Sequence, residues 1–131
     1  MRIILADHHE QPRWALKLLL EEQPGFDVAG EALEAGEALR LVGEGKADLV
    51  LVDRDLLGSE ITELISRLHT LQPGLLVVVI SSQSECCAAM ISAGADAFVS
   101  KMDQPEALLT TLVKMQEKSL KARSEPGGSL A

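Results

Sequence analysis

Aromatic side chains are almost missing from this chain. Its 131 residues include two phenylalanines, one tryptophan and no tyrosine, so the 47% of hydrophobic residues must build a core from Leu, Val, Ile and Ala. Cysteine is equally scarce. The two present, Cys86 and Cys87, are neighbours; adjacent cysteines do not meet ordinary disulfide geometry, which argues against a stapled fold and fits a reducing compartment. Positive charge is the minority, with 12 basic against 20 acidic residues and a net charge of -8. Such a chain repels the phosphate backbone, so direct nucleic-acid binding by this segment is not expected. No apolar run approaches the ~20 residues that span a bilayer. Polar residues from Asp7 to Glu10 interrupt the start, where a secretory signal needs an unbroken apolar stretch. The expectation is a soluble cytoplasmic protein with no membrane partner, long enough for one domain and short for two.

What is present alternates regularly. Ile3-Ile4-Leu5-Ala6 reads as a short buried strand. Residues 12–22 carry Ala15, Leu16, Leu19 and Leu20 at helical spacing, with Pro12 suited to a first turn and Pro24-Gly25 as the stop. A second strand is predicted over 26–30, and a helix over 34–44 with Ala38, Leu39 and Val42 inward. Asp48-Leu49-Val50-Leu51-Val52-Asp53 is the clearest central strand, apolar on both faces as a strand covered on both sides must be. A helix over 59–71 rests on Ile61, Leu64, Ile65 and Leu68. Residues 75–80 form another doubly buried strand, 84–93 a short helix, 97–99 a fifth strand, and 105–120 a last helix with Leu108, Leu109, Leu112, Val113 and Met115 as its stripe. Five strands alternating with five helices imply an open, doubly wound α/β fold, a five-stranded parallel sheet with right-handed crossovers. The domain is placed at 1–120, with 121–131 as a flexible tail or the start of an interdomain linker.

Sheets of this kind bind ligands beyond the carboxyl ends of their strands. The first strand delivers Asp7-His8-His9 there, the third Asp53-Arg54-Asp55, the fourth Ser81-Ser82 and the fifth Ser100-Lys101. Acids, hydroxyls and one lysine thus gather at one edge, each directly after an apolar run. The chemistry this suits is phosphoryl transfer to a carboxylate. Asp53 would be the nucleophile, a magnesium ion on nearby oxygens would neutralise charge, Lys101 would face the phosphoryl oxygens, and Ser81 would donate a hydrogen bond to them. The plainer reading, with Asp53 and Asp55 capping the next helix and Lys101 solvated, accounts for each residue singly but not for four matching strand ends.

These segments resemble the response-regulator receiver domains of two-component signalling over residues 2 to about 120. Ile3 to Asp7 looks like the family's first strand and acidic corner, and Asp48 to Asp53 with Leu56-Leu57-Gly58 like the phosphoacceptor segment. Val79-Ile80-Ser81-Ser82 looks like the hydroxyl switch position, and Gly94 to Lys101 like the run from the aromatic switch residue, Phe98, to the lysine. The resemblance implies a flavodoxin-like (βα)5 sheet of order 2-1-3-4-5. It also implies phosphorylation of Asp53 by a histidine kinase or phosphotransfer protein, and magnesium held by Asp7, Asp53 and Asp55. Ser81 and Phe98 would then shift together and remodel the face formed by the fourth helix, fifth strand and fifth helix, to regulate an output such as transcription. The chain would be no enzyme beyond its own phosphorylation and dephosphorylation. Ala6-Asp7 and Lys101-Met102 look closest to the branch that carries a C-terminal helix-turn-helix domain. The exposed i,i+4 pair predicted at Trp14 and Leu18 lies where kinases dock in this family, and a homodimer through it is a further candidate partner.

Two departures stand out. His8 occupies the position of the family's second acid; imidazole is a poor ligand for a hard cation, so magnesium affinity should fall, with manganese as a softer substitute. A metal cluster on His8 and His9 is disfavoured, because consecutive residues in an extended segment point oppositely. Met102 stands where many relatives have proline, and a cis bond there would cost ~3 kcal/mol. One alternative is a degenerate receiver, a phosphorylation-independent interaction module. A second is a haloacid-dehalogenase-type phosphohydrolase using Asp53 and Asp55, but Asp103 is the only aspartate beyond Lys101 toward the acidic pair that family needs, and the chain is short for that family. A flavodoxin shares the topology, but the Asp7 to Glu10 loop lacks the hydroxyls and glycines that cradle a phosphate.

Overall fold

The computed structural model describes residues 1–56, 58 and 60–123, with Ser84 and residues 119–123 described in backbone only. The elements are β1 (Arg2–Ala6), α1 (Glu10–Glu21), β2 (Asp27–Ala32), α2 (Ala35–Gly43), β3 (Leu49–Asp53), α3 (Ile61–Leu71), β4 (Leu76–Ser81), a 3-10 turn (Ser84–Cys86), α4 (Cys87–Ser92), β5 (Ala97–Ser100) and α5 (Pro105–Arg123). The strands form one parallel sheet in the order β2-β1-β3-β4-β5, as the alternation predicts.

Side-chain alternation along the strands divides the core into two layers. Ile3, Leu5, Leu49, Leu51, Val78, Ile80 and Val99 face one way and pack with Leu20 of α1 and Leu108 and Leu112 of α5. Ile4, Ala6, Val50, Val52, Val77 and Val79 face the other way, against α2, α3 and Met90 of α4. Every residue of β3 is buried, because helices cover both of its faces. The four predicted inward positions of α3, Ile61, Leu64, Ile65 and Leu68, are all buried. At its start Glu60 caps the helix by accepting from the Thr62 backbone N–H. The Thr62 hydroxyl and that amide hold the Glu60 carboxyl below its ordinary value.

Several helical expectations need correction. α1 begins at Glu10 rather than Pro12, so Pro12 is its third residue, still inside the turn that needs no amide hydrogen. Ala15 is exposed, not core: it lines a groove of about 440 Å³ between α1 and α5, shared with Leu16, Leu19 and Val99. In α2, Leu41 is buried and Leu39 only partly so. In α5, Val113 is 42% exposed, while Leu108 and Leu112 are buried and Leu109 and Met115 pack, partly buried, against the same layer. α5 continues to Arg123; residues 124–131, most of the expected tail, lie outside the described residues, as do Leu57 and Ser59. Among the described residues no peptide bond is cis, that between Lys101 and Met102 included.

Candidate functional site

The register places the reactive groups. Ala6 pairs with Val52, so Asp7 and Asp53 are the next residues on neighbouring strands. Asp53 pairs with Ile80, which puts Ser81 one step further on, and Ser81 pairs with Ser100, directly before Lys101. All four predicted strand ends therefore meet at one sheet edge.

Asp53 is 1% exposed and Asp7 2%. Buried carboxylates need partners, and Asp53 has two. Its Oδ1 accepts from the Asp55 backbone N–H at 2.7 Å, and its Oδ2 contacts the Lys101 ammonium, contributed from 48 residues away. Lys101 is steered there by its own backbone, whose N–H donates to the Ser81 carbonyl at 2.8 Å. The Ser81 hydroxyl oxygen accepts from the Gln83 backbone N–H at 3.0 Å, which leaves its proton free to donate elsewhere. Phe98 is partly buried and packs against the layer that contains Val79. Asp55 contributes its amide; its carboxylate is 66% exposed and faces Arg54 at 3.6 Å.

The first strand ends differently from expectation. β1 stops at Ala6 and the backbone bends at His8, so the alternation of an extended strand no longer applies. The rings of His8 and His9 lie side by side, centroids 3.9 Å apart and tilted by 38°. The opposed directions expected of consecutive residues in an extended segment are therefore not found at His8 and His9. The Asp7 Oδ1 accepts from the His9 backbone N–H at 2.8 Å and faces His9 Nδ1 at 2.9 Å. Among the described residues, Asp7, His8 and His9 are the one group of three His, Cys or carboxylate side chains placed to share an ion, with donor atoms within 4.8 Å of one another. Asp53 and Asp55 are not part of that group.

Three supporting residues escaped the sequence reading. Arg13 donates to the Asp7 carbonyl at 2.9 Å and pairs with Glu31 at 2.9 Å, which braces the acidic corner against β2. Gln83 accepts from the Arg54 guanidinium at 3.1 Å. None follows an apolar run, so the rule that exposed the strand ends has no purchase on them; Arg13 alone carried a signal, one turn into a helix that starts beside Asp7. Trp14 and Leu18 are 63% and 44% exposed, the pair predicted on α1.

Residues 3–113 match the response regulator receiver domain family. The chain belongs to that family. The receiver domain is 34% identical over 113 residues to the uncharacterized transcriptional regulatory protein YhcZ of Bacillus subtilis, covering 85% of this chain and 53% of that protein. It thus spans about half the length of the relatives it matches. It superposes with a TM-score of 0.81 on a LuxR-family two-component response regulator from Aurantimonas, 29% identical over 87% of this chain and 83% of that one. A CheY-like receiver domain from Methanospirillum hungatei gives a TM-score of 0.81 at 28% identity, covering 92% and 97%. The expected flavodoxin-like fold and kinship with transcriptional regulators both hold. Among the described residues no helix is long and apolar enough to cross a membrane.

Receiver domains generally bind magnesium in an acidic pocket. The donors of this receiver suit that hard ion poorly. The imidazole of His8 stands with the buried Asp7 carboxylate, and the Asp55 carboxylate is turned to Arg54; magnesium prefers six oxygens in a strict octahedron.

Proposed function

We propose that this receiver domain accepts a phosphoryl group on Asp53 from a histidine kinase or phosphotransfer protein, and transmits the change through its α4-β5-α5 face to an output, transcription being the one its relatives' names suggest. The observation that carries the reading is the contact between the Lys101 ammonium and the Asp53 carboxylate. It supports the reading because a cation delivered by a distant strand end stands beside the carboxylate that would carry the phosphoryl charge.

In the transfer, one Asp53 oxygen forms a bond to phosphorus while the bond from phosphorus to the donor's imidazole nitrogen breaks. That nitrogen keeps the electron pair and later takes up a proton. Lys101 moves from the carboxylate to the phosphoryl oxygens, where an ammonium is worth more in a site shielded from water. Ser81 turns its free hydroxyl proton toward the same oxygens, and the space it vacates draws in the half-buried Phe98. That is a local charge event biasing a two-state element. The domain catalyses nothing beyond its own phosphorylation and dephosphorylation. Trp14 and Leu18 form the partner contact, for a kinase or for a second copy of the chain.

His8 supports one competing reading, a receiver whose interactions do not depend on phosphate. Incubation with a small phosphodonor, first with magnesium and then with manganese, separates the two by intact mass. One added phosphoryl group is expected, faster with manganese, and lost in Asp53→Asn. An adduct retained in that variant rejects the site, and no adduct with either metal favours the competing reading.

A further inference from the structure

We propose that Asp7, His8 and His9 form a binding site for a divalent ion of borderline softness, of the zinc, nickel or cobalt(II) class. This inference does not depend on phosphorylation of Asp53.

Three observations point the same way. The donor atoms of the three side chains lie within 4.8 Å of one another. The two rings already sit side by side, at 3.9 Å between centroids. Most tellingly, two polar atoms there are buried with no hydrogen-bond partner among the described residues: Oδ2 of Asp7, on a residue only 2% exposed, and Nδ1 of His8. A carboxylate oxygen and an imidazole nitrogen taken out of water without partners are costly, and a shared cation satisfies both at once.

The chemistry of the set selects the ion. Imidazole suits zinc, copper, nickel and iron, whereas magnesium and calcium favour oxygen. Bonds of about 2.0–2.2 Å draw three donors to within about 4 Å of one another. The required contraction is small, and the His9 side chain, 45% exposed, is free to supply it. In the ion-free arrangement one proton lies between His9 Nδ1 and Asp7 Oδ1, 2.9 Å apart. If His9 ligates through Nδ1, the cation takes that proton's place and the proton shifts to Nε2. Arg13 holds the Asp7 backbone carbonyl at 2.9 Å and the His9 backbone N–H donates to the Asp7 Oδ1 at 2.8 Å, so the carboxylate is braced before any ion arrives.

The test uses the whole 131-residue chain, stripped of metal. Calorimetric titration with zinc, nickel and magnesium chlorides should give one zinc per chain, bound at least about a hundredfold more tightly than magnesium, and cobalt(II) should develop a visible absorption band of low-coordinate nitrogen and oxygen ligation. His8→Ala and His9→Ala should each weaken zinc by about tenfold or more, while Asp53→Asn weakens it less than either. His8→Asp, which keeps a ligand and needs no cavity, should shift the preference back toward magnesium. Zinc bound no more tightly than magnesium, or His8→Asp leaving the preference unchanged, would overturn the proposal. So would a loss confined to Asp53→Asn, which would put the ion at the phosphoacceptor instead. Phosphoryl uptake by intact mass is read separately, so failure of one reading leaves the other standing or falling by itself.

Discussion

Replacing Lys101 with methionine asks whether its ammonium is what makes a buried carboxylate tolerable at Asp53. The Asp53 side chain is 1% exposed and that of Lys101 31%. Two unit charges in contact at an effective dielectric constant of about 20 attract by roughly 4–5 kcal/mol, and removing one partner of a buried pair costs about 3–5 kcal/mol. Lysine is open to solvent along a third of its side chain, which screens the pair and lowers that figure. The Asp55 amide still donates to Asp53 Oδ1 at 2.7 Å, so the carboxylate is not wholly abandoned. A loss of about 2–3 kcal/mol in unfolding free energy is therefore expected for Lys101→Met. Asp53→Asn removes the same attraction from the other side, so the double variant must not lose it twice. Urea unfolding of all four proteins, followed by far-UV circular dichroism, should return a coupling energy of about 1.5–2.5 kcal/mol. Costs that simply add, within about 0.5 kcal/mol, would refute the claim that the pair acts as a unit.

Two further outcomes follow from other parts of the molecule. Gly58, in the loop that follows Asp53, has φ +99°, and a Cβ there would lie 3.3 Å from the Ala35 backbone nitrogen; Gly58→Ala should cost about 1–3 kcal/mol, read as a lower urea midpoint, and an unchanged midpoint would show that the loop adapts freely. Trp14→Ala should leave stability within about 0.5 kcal/mol, because the ring is 63% exposed, yet weaken kinase binding or self-association in calorimetry and sedimentation; unchanged association would discard the α1 contact.

Much of this was legible beforehand for a single reason. A parallel sheet covered on both faces requires unbroken apolar runs, and Leu49 to Val52 and Val77 to Ile80 could hardly be read otherwise. The helices were less exact where one turn offers more apolar residues than the core can take. Val113 and Ala15 carry the right spacing yet are exposed: Leu108 and Leu112, with Leu109 and Met115, take up the sheet-facing side of α5, and Ala15 lines the open groove between α1 and α5. Arg13 and Gln83 left almost no trace in the sequence, since bracing by hydrogen bonds follows from position in space and not from period.

The sequence by itself determined the order of the elements, the two-sided burial of the central strands and the inventory of groups at the strand ends. Hydrophobic period and chain connectivity decide these, and both can be read along one dimension. Only the tertiary structure decided how those groups face one another. Beyond Ala6 the backbone bends and brings His8 and His9 together beside Asp7, and beyond Ser100 it turns Lys101 onto Asp53. Past the last ladder residue the two-residue alternation lapses, and side-chain direction passes to the loop and to whatever charge the neighbouring strand presents.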